Sequence, residues 1–398
     1  MVTQADILPV EQTIAAYCSD VLTGIVPAGE LVKAAVRRHL ADLDASKLDG
    51  ARFYWDAAAA QKYVRFCGLC NHTKGEWAGQ PFHPEPWQQF IYGNLLGWKV
   101  VDTGLRRFRV GYIEVPRKNG KTYMAAVLLL YGTIADGEPG AECYAAATKR
   151  DQAKLTHDQA NRIVRSSPAL AKHVRLFKNN ISVDSTASKF EPLGRDDDTM
   201  DGLNPHFVGI DELHAHKDSG VWDVLDTATG SRRQPLLFTY TTAGFNQTAI
   251  CWQQHQYSEA LLSGTKTDDS YFCFVAAADL ADVDDWDQEH VARKANPNWG
   301  VSVRPDDYWA MVTKARNVPS LRPAFMTKRL NIWVSSATAW LPIERWDACG
   351  REPIIPSDLM GRRCWGGLDL ASRTDLASFV LAFEHPEDDG LDLLCYSW

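Results

Sequence analysis

The chain has 398 residues, 45% of them hydrophobic and 23% charged, with a formal net charge of −8 at pH 7. That composition belongs to an ordinary globular protein with room for two or three domains, and the acidic balance argues against a protein that simply coats nucleic acid. No run of about 18 apolar residues occurs, so no membrane span is expected, and without a basic-then-apolar N-terminus no secretion signal is expected either.

Residues 1 to about 80 read as helices, over Val10–Leu22, Gly29–Leu43 and Trp55–Cys67, and carry no catalytic constellation. The nine cysteines, odd in number and scattered, suggest reduced thiols in a cytoplasm. Cys67, Cys70 and His72 look like half of a zinc site, but no second pair lies at a fitting spacing, so buried thiols are the expected reading.

Pro86-Trp-Gln opens the next predicted helix. The Gln88 amide can read an adenine edge and Trp87 can pack beside the base; equally, Trp87 is core and Gln88 a helix-surface residue. A buried strand then runs from Phe108 to Val115, followed by Val-Pro-Arg-Lys-Asn-Gly-Lys-Thr at 115–122 and an Ala-, Leu- and Met-rich helix over 123–130. Strand, tight loop and helix N-terminus converge unpaired amides and a positive helix dipole on one point, as a phosphate requires. Arg117, Lys118, Asn119 and Gly120 form the loop, Lys121 supplies a charge at the β/γ-phosphates and the Thr122 hydroxyl a ligand for Mg²⁺. Val115 stands where the first Gly of the usual pattern would be. A bare Gly-Lys-Ser/Thr arises by chance on the order of 0.2 times in a chain this long, so the weight rests on the flanking elements. Arg117 can reach the γ-phosphate as a finger from the same chain, or pair with a strand carboxylate to shape the loop.

Further on, Ala141–Ala147 reads as a strand, Thr148–Ser167 as a helix, and 180–183 and 188–193 as strands. Residues 149–178 hold eight Lys or Arg against two Asp, either a DNA-facing surface or a solvated helix face. His206-Phe-Val-Gly-Ile-Asp-Glu212 is a buried strand whose tip presents two acids: Asp211 as a Mg²⁺ ligand and Glu212 as the base that activates the attacking water. Pro235–Tyr240 is another buried strand, running into Thr241-Thr-Ala-Gly244, where Thr241 and Thr242 can contact the γ-phosphate region and report its state to a neighbouring domain. Strands alternating with helices predict an α/β fold with a mostly parallel sheet covered on both faces.

Together, Pro-Trp-Gln at 86–88, Arg-Lys-Asn-Gly-Lys-Thr at 117–122, Ile-Asp-Glu at 210–212 and Thr-Thr-Ala-Gly at 241–244 resemble the large terminase subunit of tailed double-stranded DNA bacteriophages, in the branch associated with phages of the HK97 type. Asn296-Pro-Asn-Trp-Gly300, Leu330-Asn-Ile-Trp333 and Gly367-Leu-Asp-Leu-Ala371 extend the likeness over nearly the whole chain, and replacement of the first loop Gly is usual there. The resemblance implies a RecA/ASCE-like P-loop ATPase that uses ATP and Mg²⁺ to drive double-stranded DNA into a procapsid in the host bacterial cytoplasm. It implies a ring of subunits on the portal protein, a small terminase subunit as partner, and an RNase H-like nuclease using Mn²⁺ or Mg²⁺. The expected layout is an N-terminal helical region (1–80), the ATPase core (81–250), a lid and linker (251–356) and the first three strands of the nuclease (357–398). Asp369 is its expected metal ligand, with Asp375 a weaker candidate. Because a two-metal nuclease needs several carboxylates, the chain is expected to be truncated and unable to cut DNA. Two rivals stand: a helicase, since Asp211-Glu-Leu-His214 fits a D-E-x-H box, and a structural subunit in which ATP only stabilises assembly.

Overall fold

The computed structural model describes residues 8–194, 202–334, 349–350, 354–370, 376–385 and 390–398. It divides into two units, Met1–Thr338 and Ala339–Trp398.

The first unit opens with helices α1 (Val10–Thr23) and α2 (Glu30–Ala45), the short strand β1 (Phe53–Trp55) and α3 (Ala57–Cys67). The third helix starts two residues later than its apolar pattern suggests. Asp56 caps it by accepting the Ala59 amide, which leaves Trp55 free to pair with Trp98 of β2 (Trp98–Val100). Between them, α4 (Pro86–Gly97) begins with Pro86 at its first turn and a reciprocal Glu85/Gln88 capping box. It is buried all round, against α1 and α3 on one side and the main sheet on the other.

The main sheet is laid down by β3 (Val110–Glu114), α5 (Lys121–Ile134), β4 (Glu142–Ala147), α6 (Arg150–Ser166), α7 (Pro168–Ala171), β5 (Arg175–Leu176), β6 (Ile181–Val183), β7 (Ser188–Gly194), β8 (Pro205–Asp211), α8 (Gly220–Ala228), β9 (Leu236–Thr241), α9 (Ile250–Leu262) and β10 (Tyr271–Val275). Its order is β10-β3-β9-β8-β4-β7-β6-β5. The first six of these strands are parallel and the last two antiparallel. The central strands are buried along their full length, as a sheet covered on both faces demands. β10 falls within the 251–356 segment expected to be lid and linker, yet it pairs with β3 and completes this sheet.

Beyond β10, α10 (Glu289–Ala295), α11 (Pro305–Asn317) and α12 (Arg322–Arg329) enclose a small core of their own around Trp286, Val291, Tyr308, Phe325 and Leu330. No helix among the described residues is long and apolar enough to cross a membrane.

In the second unit, β11 (Cys364–Asp369), β12 (Ser378–Glu384) and β13 (Leu391–Ser397) form an antiparallel meander. These are the three strands expected from the sequence. Asp369 ends the first, opposite Ser378, and is exposed. Asp375 lies outside the described residues.

Candidate nucleotide site

Because β9 lies between β3 and β8, the C-terminal ends of three adjacent parallel strands face the same edge of the sheet. β3 delivers the loop at 115–120, β9 delivers Thr241 and Thr242, and β8 delivers Asp211 and Glu212. Register places Thr241 beside Glu114 and Tyr240 beside Asp211. The open α/β sheet thus gathers its polar residues where such sheets bind ligands.

The loop turns sharply. Gly120 has φ 83° at the N-cap of α5, a conformation that glycine adopts without a Cβ penalty, and Lys118 is held at φ 74°. A non-glycine residue in that region costs roughly 1–2 kcal/mol, so contacts must hold it there. Ser302 Oγ donates to the Lys118 carbonyl at 2.5 Å, Arg117 N donates to the Lys328 carbonyl at 2.9 Å, and Asn119 is fixed on both sides of its amide. Its Nδ2 donates to Asn296 Oδ1 at 3.1 Å, and its Oδ1 accepts the Asn298 amide at 3.1 Å. Val115, in the place of the usual glycine, is buried and donates its amide to the Thr241 carbonyl.

Lys121 begins α5 with its side chain buried, Nζ donating to the Val115 and Pro116 carbonyls at 3.0 Å each. Burial pulls its pKa down to about 8, offset in part by the charges of Glu212 and Asp211. Thr122 follows, half-buried. Burial and the neighbouring Glu212 push the Asp211 carboxyl up to about 7, against the pull of Lys121. A buried carboxylate so reluctant to ionise is a site that gains from a cation. Together with the Thr122 hydroxyl it offers the hard oxygen ligands that Mg²⁺ takes alongside phosphate oxygens. Among the described residues no group of three or more His, Cys, Asp or Glu forms an all-protein metal site.

Glu212 adopts a left-handed conformation, φ 51°, just past the strand. Its Oε2 lies 3.1 Å from His214 Nδ1. The His214 backbone amide donates to Thr241 Oγ1 at 3.1 Å, and its ring nitrogen lies 3.3 Å from the hydroxyls of both Thr241 and Thr242. Burial lowers the His214 pKa, so it is a neutral ring that ties the acid to the threonines. In sequence His214 belongs to a helicase-like box; its 3.1 Å contact with Glu212 is a product of the fold.

The other predicted positions divide. Gln88 spends its Oε1 on the Glu85 amide, while its Nε2 faces the loop, 4.0 Å from where a Cβ on Gly120 would lie. Trp87 is corrected. It is 2% exposed, stacked on Phe274, with Nε1 donating to Asn298 Oδ1; β10, unforeseen in this sheet, brings Phe274 onto it. Arg117 is exposed on the loop and makes no ion pair among the described residues, so the alternative of a pairing with a strand carboxylate does not hold here. Cys67 and Cys70 are buried free thiols whose pKa values burial raises, and His72 stacks on Tyr123. Asp369 lies in the second unit.

A parallel α/β sheet ending in a lysine-bearing loop beside an acidic strand tip defines a P-loop nucleotide-binding core. The model of the terminase large subunit ATPase domain matches residues 86–260, and that of the terminase large subunit endonuclease domain matches 265–398. The large terminase subunit of Enterobacteria phage HK97 is 26% identical over 347 residues, covering 83% of this chain and 63% of that protein. Protein YmfN of Escherichia coli K12 is 32% identical over 188 residues, 47% of this chain and 41% of that one. The crystal structure of the HK97 large terminase superposes with a TM-score of 0.60 at 24% identity, covering 85% of this chain and 67% of that one. The chain belongs to the family of terminase large subunits, of the HK97 type. It spans about two fifths to three fifths of the length of these two curated relatives.

Proposed function

We propose that this chain is the ATP-hydrolysing subunit of a motor that drives viral double-stranded DNA into a procapsid in the host bacterial cytoplasm, docked as a ring on the portal and served by a small terminase subunit. The observation that carries this reading is the meeting of Lys121, the Asp211–Glu212 pair and the Thr241–Thr242 pair at one edge of three neighbouring strands. Loop amides and the N-terminus of α5 cradle the β- and γ-phosphates. Lys121 leaves its two loop carbonyls for phosphate oxygens, whose negative charge counters the burial that lowers its pKa. Glu212 takes the proton from the attacking water, held in aim by His214. Arg117 neutralises charge growing on the γ-phosphoryl group. A magnesium ion held by Thr122 and Asp211 would supply further charge neutralisation at the phosphates. Thr241 and Thr242, linked through His214 to Glu212, pass the state of the γ-phosphate to the segment at 330–333: Asn331 Oδ1 accepts the Ala243 amide at 2.7 Å.

The test is turnover and binding together. Lys121→Ala loses both; Glu212→Ala loses hydrolysis but keeps ATP binding. A Glu212→Ala protein that hydrolyses like the parent removes the assigned base.

For the endonuclease part, Asp369 is the metal ligand this reading assigns, and a two-metal cut needs several carboxylates around ions about 3.5–4 Å apart.

A further inference from the structure

The last turn of α12 is fastened to the phosphate loop. The Lys328 carbonyl accepts the Arg117 amide at 2.9 Å, and the next carbonyl, of Arg329, accepts Asn296 Nδ2 at 2.9 Å, while Asn296 Oδ1 holds Asn119. These contacts set the distance and rotation of α12 against the loop, and they bring one more cation to it.

Several cations of this small helical subdomain are matched, although Lys314 is exposed without a carboxylate partner among the described residues and Arg322 lies over the Trp286 ring. Arg329 pairs with Asp307 at 2.6 Å, Lys294 with Asp282 at 2.7 Å and Asp279 at 3.3 Å, and Arg316 with Asp287 at 2.6 Å. Lys328 is half-buried and has no carboxylate partner among the described residues. Its surroundings are those of the nucleotide site. The charge of Arg117 bears on it unfavourably and that of Glu212 favourably, and its own charge is felt at His214. Arg117, also without an acidic partner among the described residues, is the residue whose backbone amide the Lys328 carbonyl holds. Two unmatched cations beside a phosphate loop repel one another until an anion lies between them.

We infer that Lys328 is a phosphate-binding residue delivered by α12, which takes up the terminal phosphate of a nucleoside triphosphate and thereby registers whether that phosphate is present. This rests on the proposed nucleotide site. A lysine on its four-carbon stem is a mobile point charge, so it can follow the γ-phosphate and be released when that group departs.

The experiment compares ATP with ADP, each with Mg²⁺, by titration calorimetry on the full chain, with parent, Lys328→Ala, Lys328→Met and Lys328→Arg. Loss of a charge-assisted contact made only to the γ-phosphate weakens ATP about tenfold or more and ADP less than twofold in the Ala and Met variants, while Lys328→Arg retains most of the ATP affinity. In steady-state turnover the Ala variant raises KM more than it lowers kcat. If Lys328→Ala and Lys328→Met keep the parent's ATP-to-ADP ratio, the inference is overturned and the nucleotide site stands. If the parent binds neither nucleotide, the site reading falls and this inference with it.

Discussion

His255 Nδ1 lies 2.9 Å from Glu114 Oε2, an ion pair sealed beneath the phosphate loop. Glu114 is fully buried at the end of β3, one residue before the loop begins. Tyr112 donates to the same oxygen at 2.5 Å and Trp333 Nε1 to the other at 3.2 Å. One carboxylate therefore joins the strand that enters the loop, the helix after the threonine pair and the segment following α12.

Removing one partner of a buried pair strands the other, which costs about 3–5 kcal/mol. Glu114→Ala should lose that much in urea unfolding. Burial works against the charge on His255, but Glu114 and Glu259 prevail and raise its pKa to about 10. A histidine raised on folding stabilises fully below its unfolded value near 6.5, and the gain fades as pH climbs to about 10. His255→Gln should flatten that decline between pH 6.5 and 10; an unchanged slope would show that the pair does not carry it.

Asp211 has the opposite balance for a carboxylate. Held up to about 7 by burial and Glu212, it keeps its proton more tightly folded than unfolded. Its ionisation therefore weakens the nucleotide-free protein as pH rises from about 4 to about 7. Asp211→Asn should raise the melting temperature by several degrees at pH 8 while abolishing Mg²⁺-dependent ATP turnover. Calorimetry at pH 5 and pH 8 checks the sign: the gain should shrink at the lower pH.

The Asn119 amide spans from the loop to residues 296 and 298. Asn119→Ala leaves the Asn298 amide and Asn296 Oδ1 without these partners, at about 1–3 kcal/mol for each buried group. ATP turnover should fall at least tenfold, and hydrogen exchange should speed up in both the loop and the 296–303 segment. Faster exchange in the loop alone would mean that the two are not mechanically joined.

Plasmid incubated with the purified chain and Mn²⁺ or Mg²⁺ tests the metal role proposed for Asp369: any metal-dependent cleavage should be lost in Asp369→Ala. Cleavage that persists unchanged in Asp369→Ala would remove Asp369 as the metal ligand of the second unit.

What could be read from the letters alone was whatever depends on neighbours in sequence. Apolar runs ending in Lys121, in Asp211–Glu212 and in Thr241–Thr242 announce strands with polar tips, because strand burial and helix starts are written in short-range patterns. A mostly parallel sheet covered on both faces followed from the same patterns, whereas its RecA-like character was implied by the resemblance to large terminase subunits. Which tips meet was not written there. β9 inserts between β3 and β8, and β10 joins the edge from beyond the expected boundary, because sheet order is settled by how helices cover both faces. Asn119 and Asn296 are 177 residues apart, Glu114 and His255 141. Such pairs leave no periodic trace, and a lone polar residue in an apolar context reads alike whether its partner is water or a distant side chain. Trp87 shows the reverse case: its type fits a base platform or a core equally, and only Phe274 behind it decided.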